Sequence, residues 1–358
     1  MVRVYRYRLY PTRVQEAALR ETLERLRELY NAALQHRRDA YRKQGESVSA
    51  YGQMRELASV REVRPEFASI HTHLLQDAIT RLDRAYRAFF RRVKAGETPG
   101  FPRFKGRGRY RTFTFKDAAN HNGVRLLAGG KRVKLAGIGN VKVKLHRLIE
   151  GRIKQASVSL DGDGHWYIAF ACVDVPTRPL PPLDTSVGID VGITTFAALS
   201  DGTTVDNPRP YEMAQRSLVT AQRRVSRRKR GSKRRRKAVE LLAKQSARVQ
   251  RVRIDFHHKT AHAIVQRFGS TESAGREFYR VDPRGTSQEC SGCQQRVPKG
   301  LHVRVHACPH CGLVLDRDVN AAVNVQARGH TAFEEGRSVS APLNREAPSS
   351  RRSRREGR

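Results

Sequence analysis

The sequence has few acidic residues and no long apolar run. Its 358 residues contain 34 Asp and Glu against 70 Lys and Arg, so the formal net charge is +36. This excess predicts a polyanionic partner bound in a salt-dependent way, either a nucleic acid or an anionic membrane surface. Because there is no apolar stretch of about 18 residues and no signal-peptide pattern, we do not expect a membrane-spanning or exported protein. The length suits two or three domains, and we expect a cytoplasmic location.

Cysteine is also scarce. The five cysteines comprise two C-x2-C pairs and Cys172, which lies in a strand-like run and is expected to be a small core residue. An odd number with this pairing favours a reducing compartment and a metal over a disulfide framework. The spacing C-x2-C-x14-C-x2-C predicts a structural Zn²⁺ bound by four thiolates, which leave no position for water. The ligands would be Cys290, Cys293, Cys308 and Cys311. We interpret the nearby His306 and His310 as surface residues.

The first half of the chain combines strand and helix patterns. "VRVYRYRLYP" alternates like a strand, and Thr12 with Gln15 forms a capping box at the start of a helix. A second long helix is expected at about 71–94, followed by short strands over 123–175. These patterns predict a β-barrel into which the helices are inserted. The proline-rich stretch 176–184 is interpreted as a linker.

A basic, aromatic segment lies between these helices and strands. Residues 96–117, "GETPGFPRFKGRGRYRTFTFKD", interleave cations with five rings, and we predict contact with nucleic acid, in which bases stack on the rings. The alternative is a basic loop that enters a strand. The rings are Phe101, Phe104, Tyr110, Phe113 and Phe115.

The second half predicts two or three strands over 187–205 and then a long helical hairpin that turns near Gly231 and Ser232. The run "RRVSRRKRGSKRRRK" at this turn predicts a phosphate partner rather than a merely solvated face, because like charges so dense repel one another. The second arm carries an apolar stripe at helical spacing. Its members are Val239, Leu242, Val249, Val252, Phe256, Ala263 and Ile264.

Three acids stand out beyond the linker. Asp190 lies in the apolar, β-branched run "TSVGIDVGITTFAALSDG", where a charge is costly unless it is paired or binds a metal. Asp316 and Asp318 begin the small-residue helix of "LVLDRDVNAAVNV", where capping is the simpler interpretation. If this helix packs against the strand of Asp190, two carboxylates meet as in two-metal nucleases.

Taken together, the motifs resemble the TnpB family, which is carried by insertion sequences and is related to type V CRISPR effectors. The resemblance rests on "YRLYPTRVQEAALRETLERLRELYNAAL", "FPRFKGRG", "GIDVGITTFAALSDG", "VDPRGTSQECSGC", "CPHCG" and "LDRDVNAAVN", in family order. It implies a β-barrel wedge domain with a helical insertion, followed by an RNase H-like (RuvC) domain that holds a zinc ribbon. It also implies guide-RNA-directed DNA cleavage with Mg²⁺, with guide RNA and target DNA as partners. Asp190 and Asp318 match the first and last acids of the family's Asp, Glu, Asp triad, so they would be the Mg²⁺ ligands.

The chain departs from the family at the middle acid. No apolar strand ending in Glu stands between Phe268 and Phe278, so the resemblance implies that part of the RuvC-like domain is missing. Asp282 or Glu277 would be the substitute third acid. Because one fewer carboxylate weakens metal binding, we expect impaired cleavage.

The expected architecture is α+β or α/β in three parts. These are a wedge domain (1–180, helical insertion about 12–95), a shortened RuvC-like domain (181–335, zinc ribbon about 286–315) and a disordered basic tail (336–358). Two alternatives to an impaired endonuclease stay open: a nuclease-dead RNA-guided DNA-binding protein, and a decaying deletion derivative. A zinc-ribbon protein that binds nucleic acid without a guide is a further alternative.

Overall fold

The structure is a computed structural model that describes residues 1–177, 180, 183, 185–268, 279–300 and 302–334. The chain divides into two compact units. The first comprises Met1–Thr177 and Ser217–Ala247, and the second comprises Arg178–Arg216 and Arg248–Arg358. The domain boundaries expected near residues 180 and 335 stay predictions, and the expected tail, 336–358, lies outside the described residues.

The first unit is built on seven antiparallel strands. They are β1 (Arg3–Tyr10), β2 (Thr112–Phe115), β3 (Val124–Leu126), β4 (Arg132–Leu135), β5 (Gly139–Lys144), β6 (Arg152–Leu160) and β7 (Trp166–Val173). Their order is β2-β6-β7-β1-β5-β4-β3, so β1 is central. The two ends of the sheet come close, because a Cβ on Gly123, next to β3, would lie 2.7 Å from the Phe115 ring of β2. The predicted barrel is therefore a nearly closed antiparallel sheet.

The alternation in the opening strand decides which side chains enter the core. Tyr5, Tyr7 and Leu9 are buried, whereas Val4 is 56% exposed. Tyr7 pairs with Ile168 of β7, and Leu9 pairs with Val143 of β5. Because successive strand residues point to opposite faces, this two-residue period fixes the register of β1 against both neighbours.

Four helices lie between β1 and β2. They are α1 (Arg13–Gln44), α2 (Ala50–Arg55), α3 (Leu57–Val63) and α4 (Thr72–Lys94), with a 3₁₀ turn at Pro65–Phe67. The predicted capping box is confirmed, since the Gln15 N–H donates to Thr12 Oγ1 at 3.3 Å and the Thr12 N–H donates to Gln15 Oε1 at 3.1 Å. Helices α1 and α4 pack together through buried leucines. The expected core cysteine, Cys172, is fully buried.

The five rings of the basic segment divide between core and surface. Tyr110, Phe113 and Phe115 are at most 7% exposed, so the prediction that they stack on bases is wrong. Two of them belong to β2, which pairs with β6 and faces the core. Phe101 and Phe104 precede the strand and are each 45% exposed.

The second unit contains the three strands expected around Asp190. They are β8 (Ile189–Asp190), β9 (Thr195–Leu199) and β10 (Thr204–Asp206), which form an antiparallel sheet in the order β10-β9-β8. A two-stranded ribbon, β11 (Val305–Ala307) with β12 (Val314–Asp316), leads into α7 (Arg317–Glu334). The RNase H-like description of this unit stays a prediction.

Helices α5 (Pro210–Ser226) and α6 (Lys233–Arg267) form the predicted hairpin. The predicted apolar stripe of α6 is not a buried face: Ala238 is the buried residue of this helix, and Val239 and Val252 are each 46% exposed. Phe256 does find a partner, because its ring lies 4.8 Å from that of Phe196 in β9. Helical spacing alone therefore overestimated burial here. In the described part of the chain, no helix is both long and apolar enough to cross a membrane.

Candidate metal centres and nucleic-acid interface

The four paired cysteines converge at one point. Their sulfur atoms all lie within 4.8 Å of one another, with 3.5 Å between Cys290 Sγ and Cys311 Sγ and 3.6 Å between Cys293 Sγ and Cys308 Sγ. Zn–S bonds of about 2.3 Å in a tetrahedron separate the sulfurs by about 3.8 Å. The cluster can therefore hold a metal ion such as zinc, and its donor atoms suit a closed, structural site.

Tight turns orient these thiols towards one another. In the second knuckle the Cys308 N–H donates to Leu313 O at 2.8 Å, and Gly312 adopts a φ of 72°. Burial raises the pKa of the Cys308 thiol, but hydrogen bonds from the N–H groups of Cys311 and His310 and from the Cys290 and Cys293 thiols bring the pKa to about 6. In the same knuckle the Leu313 N–H lowers the pKa of Cys311, but hydrogen bonds with the other three thiols and burial outweigh this and raise it to about 12. The four thiols therefore share protons that a bound metal would displace.

The two histidines of the ribbon differ. His310 is exposed, as predicted. His306 is fully buried, so its interpretation as a surface residue is wrong. It is the central residue of β11, pairs with Leu315 of β12 and faces inward, where its Nδ1 contacts Lys299 Nζ. Strand alternation, rather than polarity, decides its position.

Two buried asparagines join the ribbon to α7. Asn320 accepts from the Ser291 N–H at 2.9 Å and donates to Glu289 O at 2.8 Å. Asn324, one turn later, donates to Thr286 O at 2.9 Å and to Glu289 O at 2.8 Å. These bonds satisfy buried backbone groups, so they fix the helix against the first knuckle. The sequence analysis did not assign this role, although both residues belong to "DVNAAVN".

The acids at the start of α7 have different surroundings. Asp316 Oδ1 accepts from the N–H groups of Asp318 and Val319 at 2.8 and 3.2 Å, which is the expected capping arrangement. The Asp318 carboxylate instead lies towards the β8–β9 turn, since a Cβ on Gly192 would be 4.0 Å from Asp318 Oδ2.

Helix α7 packs directly on β8. A Cβ on Gly188 would lie only 1.9 Å from Ala322 O and 2.6 Å from the Gln326 nitrogen. No role was predicted for Gly188 from the sequence, although it stands two residues before Asp190. Glycine just before the strand and alanine on the helix permit the backbones to approach, as expected from the small face of this helix.

This packing brings Asp190 and Asp318 within electrostatic range. Burial and the charge of Asp318 both raise the pKa of Asp190. Two arginines offset the repulsion between the two carboxylates. Arg317 lowers the Asp190 pKa, and Arg304 Nη1 lies 4.0 Å from Asp318 Oδ2 while Arg304 also donates to Thr194 Oγ1. Two carboxylates that share a partly buried site form an oxygen donor set of the kind that Mg²⁺ accepts.

The proposed third acids do not join this pair in the described residues. Asp282 is exposed, its Oδ1 accepts from the Arg284 N–H at 3.0 Å, and its carbonyl accepts from Arg328 at 2.5 Å. Arg328 is ten residues beyond Asp318, or about 15 Å along the helix. Glu277 lies outside the described residues. The four cysteines are the one group of three or more metal-ligating side chains found in the described ranges.

A cavity adjoins Asp190. Strand β8 pairs with β9 along one edge. Strand β8 also borders a cavity of about 550 Å³, together with residues 279–281, Pro283 and the second half of α7. Among the described residues no strand pairs with the other edge of β8.

The turn of the α5–α6 hairpin is a cationic surface. Arg224, Arg228, Arg234 and Lys237 line a depression of about 430 Å³. Arg235 has another role, since its Nη1 donates to Val225 O at 2.7 Å and to Arg228 O at 3.0 Å and so closes the turn. This surface provides cations suited to phosphates.

The fold and the cysteine cluster define a protein with a Cas12f-like fold and a four-cysteine site that can hold a metal ion such as zinc. A solved Cas12f1–sgRNA–target DNA complex matches with a TM-score of 0.53 at 14% identity, over 87% of this chain and 83% of that one. The probable-transposase family OrfB_IS605 matches residues 170–272, and the Cas12f1-like TNB domain matches 270–325. A helix-turn-helix family matches 1–46, although this region is one strand followed by the single long helix α1.

Two curated relatives align over nearly the whole chain. A Streptomyces pristinaespiralis protein named "Putative RNA-guided DNA endonuclease" is 30% identical, over 92% of this chain and 90% of its own length. The Escherichia coli K12 protein "Putative RNA-guided DNA endonuclease InsQ" is 25% identical, over 96% of this chain and 97% of its own length. The chain belongs to the TnpB family.

Proposed function

We propose that this protein is a guide-RNA-directed DNA-binding scaffold of the endonuclease type, in which Asp190 and Asp318 bind Mg²⁺ and cleavage is impaired. The observation that carries the proposal is the Asp190–Asp318 pair, which is formed by the contact of β8 with α7. The names of the relatives and the cationic hairpin turn support nucleic-acid partners. Bound Mg²⁺ would supply charge stabilisation at the reacting phosphate.

Three observations support impairment. The alignment with the E. coli relative spans 403 positions against 358 residues here, so at least 45 positions have no counterpart in this chain. Within the described ranges, no strand pairs with the edge of β8 away from β9 and a cavity borders this strand, as the loss of a neighbouring strand would leave them. No third ligating side chain joins Asp190 and Asp318 in the described ranges. Two carboxylates leave more Mg²⁺ positions to water, so we expect weak binding.

Cleavage of a matched DNA target, with the transposon-end RNA and Mg²⁺, tests the proposal. We expect guide-dependent DNA binding with little cleaved DNA. Any residual cleavage should be lost in Asp190→Ala and retained in Asp316→Asn. Asp316→Asn is the matched control, because asparagine keeps the cap oxygen. Robust cleavage by the wild type would contradict the impairment of cleavage. DNA binding that does not depend on the RNA would contradict the proposal that a guide RNA directs it.

The alternative of a purely RNA-guided DNA-binding protein is favoured by Arg304, which lies where it can offset the charge of Asp318 without metal. This alternative predicts target binding unchanged by Mg²⁺ and by Asp190→Ala. Mg²⁺-dependent protection of β8 and α7 from hydrogen exchange would contradict it. A decaying deletion derivative would instead give no stable second unit.

A further inference from the structure

We propose that Phe90, Phe101 and Phe104 form a platform on which unpaired RNA nucleotides stack. The inference rests on the proposed RNA binding and deepens it, because it names the surface and the kind of RNA segment. All three rings belong to the first unit and are exposed, by 61%, 45% and 45% respectively.

Phe90 and Phe101 belong to one cluster of rings, and Phe104 lies on the other side of the Arg38 guanidinium, which is near both Phe101 and Phe104. Phe101 packs edge-on against Phe89 and Tyr86 of α4, with ring centroids 5.3 and 5.6 Å apart. Tyr86 in turn stacks with Phe90 at 6.3 Å. An apolar surface this exposed on a highly charged chain indicates a binding site rather than misplaced core.

The segment that carries Phe101 and Phe104 is held in place. Pro102 between them is buried. The Lys105 N–H donates to Asn31 Oδ1 at 2.8 Å, and Lys105 O accepts from Asn31 Nδ2 at 3.0 Å. These bonds tie the segment to α1, so little conformational entropy is lost when a ligand binds.

The flanking charge favours a nucleic acid over an apolar protein partner. The Arg38 guanidinium lies 6.0 Å from the Phe101 ring and 5.3 Å from the Phe104 ring, and it forms no ion pair with a carboxylate in the described chain. Arg91 and Arg103 are exposed beside the same rings in sequence. Rings interleaved with cations match bases and phosphates at the same time.

Unpaired RNA fits better than duplex DNA. Bases within a duplex are already stacked on one another, whereas splayed single-stranded bases gain from an aromatic surface. A guide RNA carries such segments before it meets DNA, so the platform has its ligand in the free complex.

The test compares Phe101→Leu/Phe104→Leu with Tyr51→Leu in the full-length protein. Tyr51 is a matched control because it belongs to the same unit and is 73% exposed. The probe is a single-stranded RNA of about 12 nucleotides containing 2-aminopurine, with an equivalent DNA strand and an RNA duplex as further arms. Fluorescence reports stacking, and anisotropy over a salt series reports affinity. Fluorescence of Trp166, buried in the sheet, verifies that each variant folds.

We expect the double variant to bind the RNA strand about tenfold or more weakly, with an unchanged salt slope and a lost 2-aminopurine response. Unchanged affinity, an equal loss in Tyr51→Leu, an equal loss for the duplex, or tighter binding of the DNA strand would overturn the platform while leaving RNA binding intact. If the wild type binds no RNA, the proposed function fails, and this inference fails with it.

Discussion

Gly188→Ala is expected to disrupt the contact that brings the two acids together. The new Cβ would lie 1.9 Å from Ala322 O, whereas ordinary contacts begin near 3.4 Å, so β8 and α7 must separate by about 1.5 Å. Both nearest atoms are backbone, so no rotamer relieves the clash. Overpacking of this kind costs about 1–3 kcal/mol, and we expect the upper end. Because metal–ligand distances are defined to within about 0.2 Å, the proposed binding of Mg²⁺ should also be lost.

Hydrogen exchange of peptides from 186–200 and 317–334 measures this cost locally. About 3 kcal/mol corresponds to exchange faster by about 150-fold. Gly329→Ala, in the same helix, is the control, because nothing lies within 4 Å of its added Cβ and alanine should stabilise the helix by about 0.5–1 kcal/mol. Wild-type exchange rates in Gly188→Ala, or equal destabilisation in Gly329→Ala, would refute the packing argument.

Three further predictions concern the second unit and its ligands. Asn320→Ala should lower the free energy of unfolding by about 1–3 kcal/mol in chemical denaturation, because its buried backbone partners lose their hydrogen bonds. Asp190→Asn should raise the melting temperature of the Mg²⁺-free protein at neutral pH. Burial and Asp318 raise the pKa of Asp190, so the wild type loses stability as pH rises through that pKa and the variant does not; equal pH profiles would contradict this. Cys308→Ser should abolish bound zinc in elemental analysis, whereas Cys172→Ala should retain it.

Much of the local structure could be predicted from spacing along the chain. The alternation of β1 placed Tyr5, Tyr7 and Leu9 in the core, and the Thr12–Gln15 pair marked the start of α1. Both patterns depend on neighbouring residues, within a strand or one helical turn, so they can be recognised without knowledge of the fold. The spacing of the four cysteines similarly anticipated their convergence, because each knuckle is a local turn.

The same reasoning was wrong where burial depends on distant partners. The aromatic segment looked uniform, yet Phe113 and Phe115 face the core while Phe101 and Phe104 stay exposed. His306 was misjudged because its polarity suggested solvent, although β11 turns it inward. The α6 stripe has the right period, but Val239 and Val252 remain exposed among the described residues.

The sequence by itself determined the charge and the family, and it identified the four cysteines that converge and the two acids, Asp190 and Asp318, that were predicted to share a site. The tertiary structure decided that Asp190 and Asp318, 128 residues apart, share one electrostatic environment. It also showed that Gly188 permits this approach and that, in the described part of the chain, β8 borders a cavity. The physical reason is that charge and ligand spacing are encoded locally, whereas the meeting of two carboxylates depends on how closely a helix can pack against a strand.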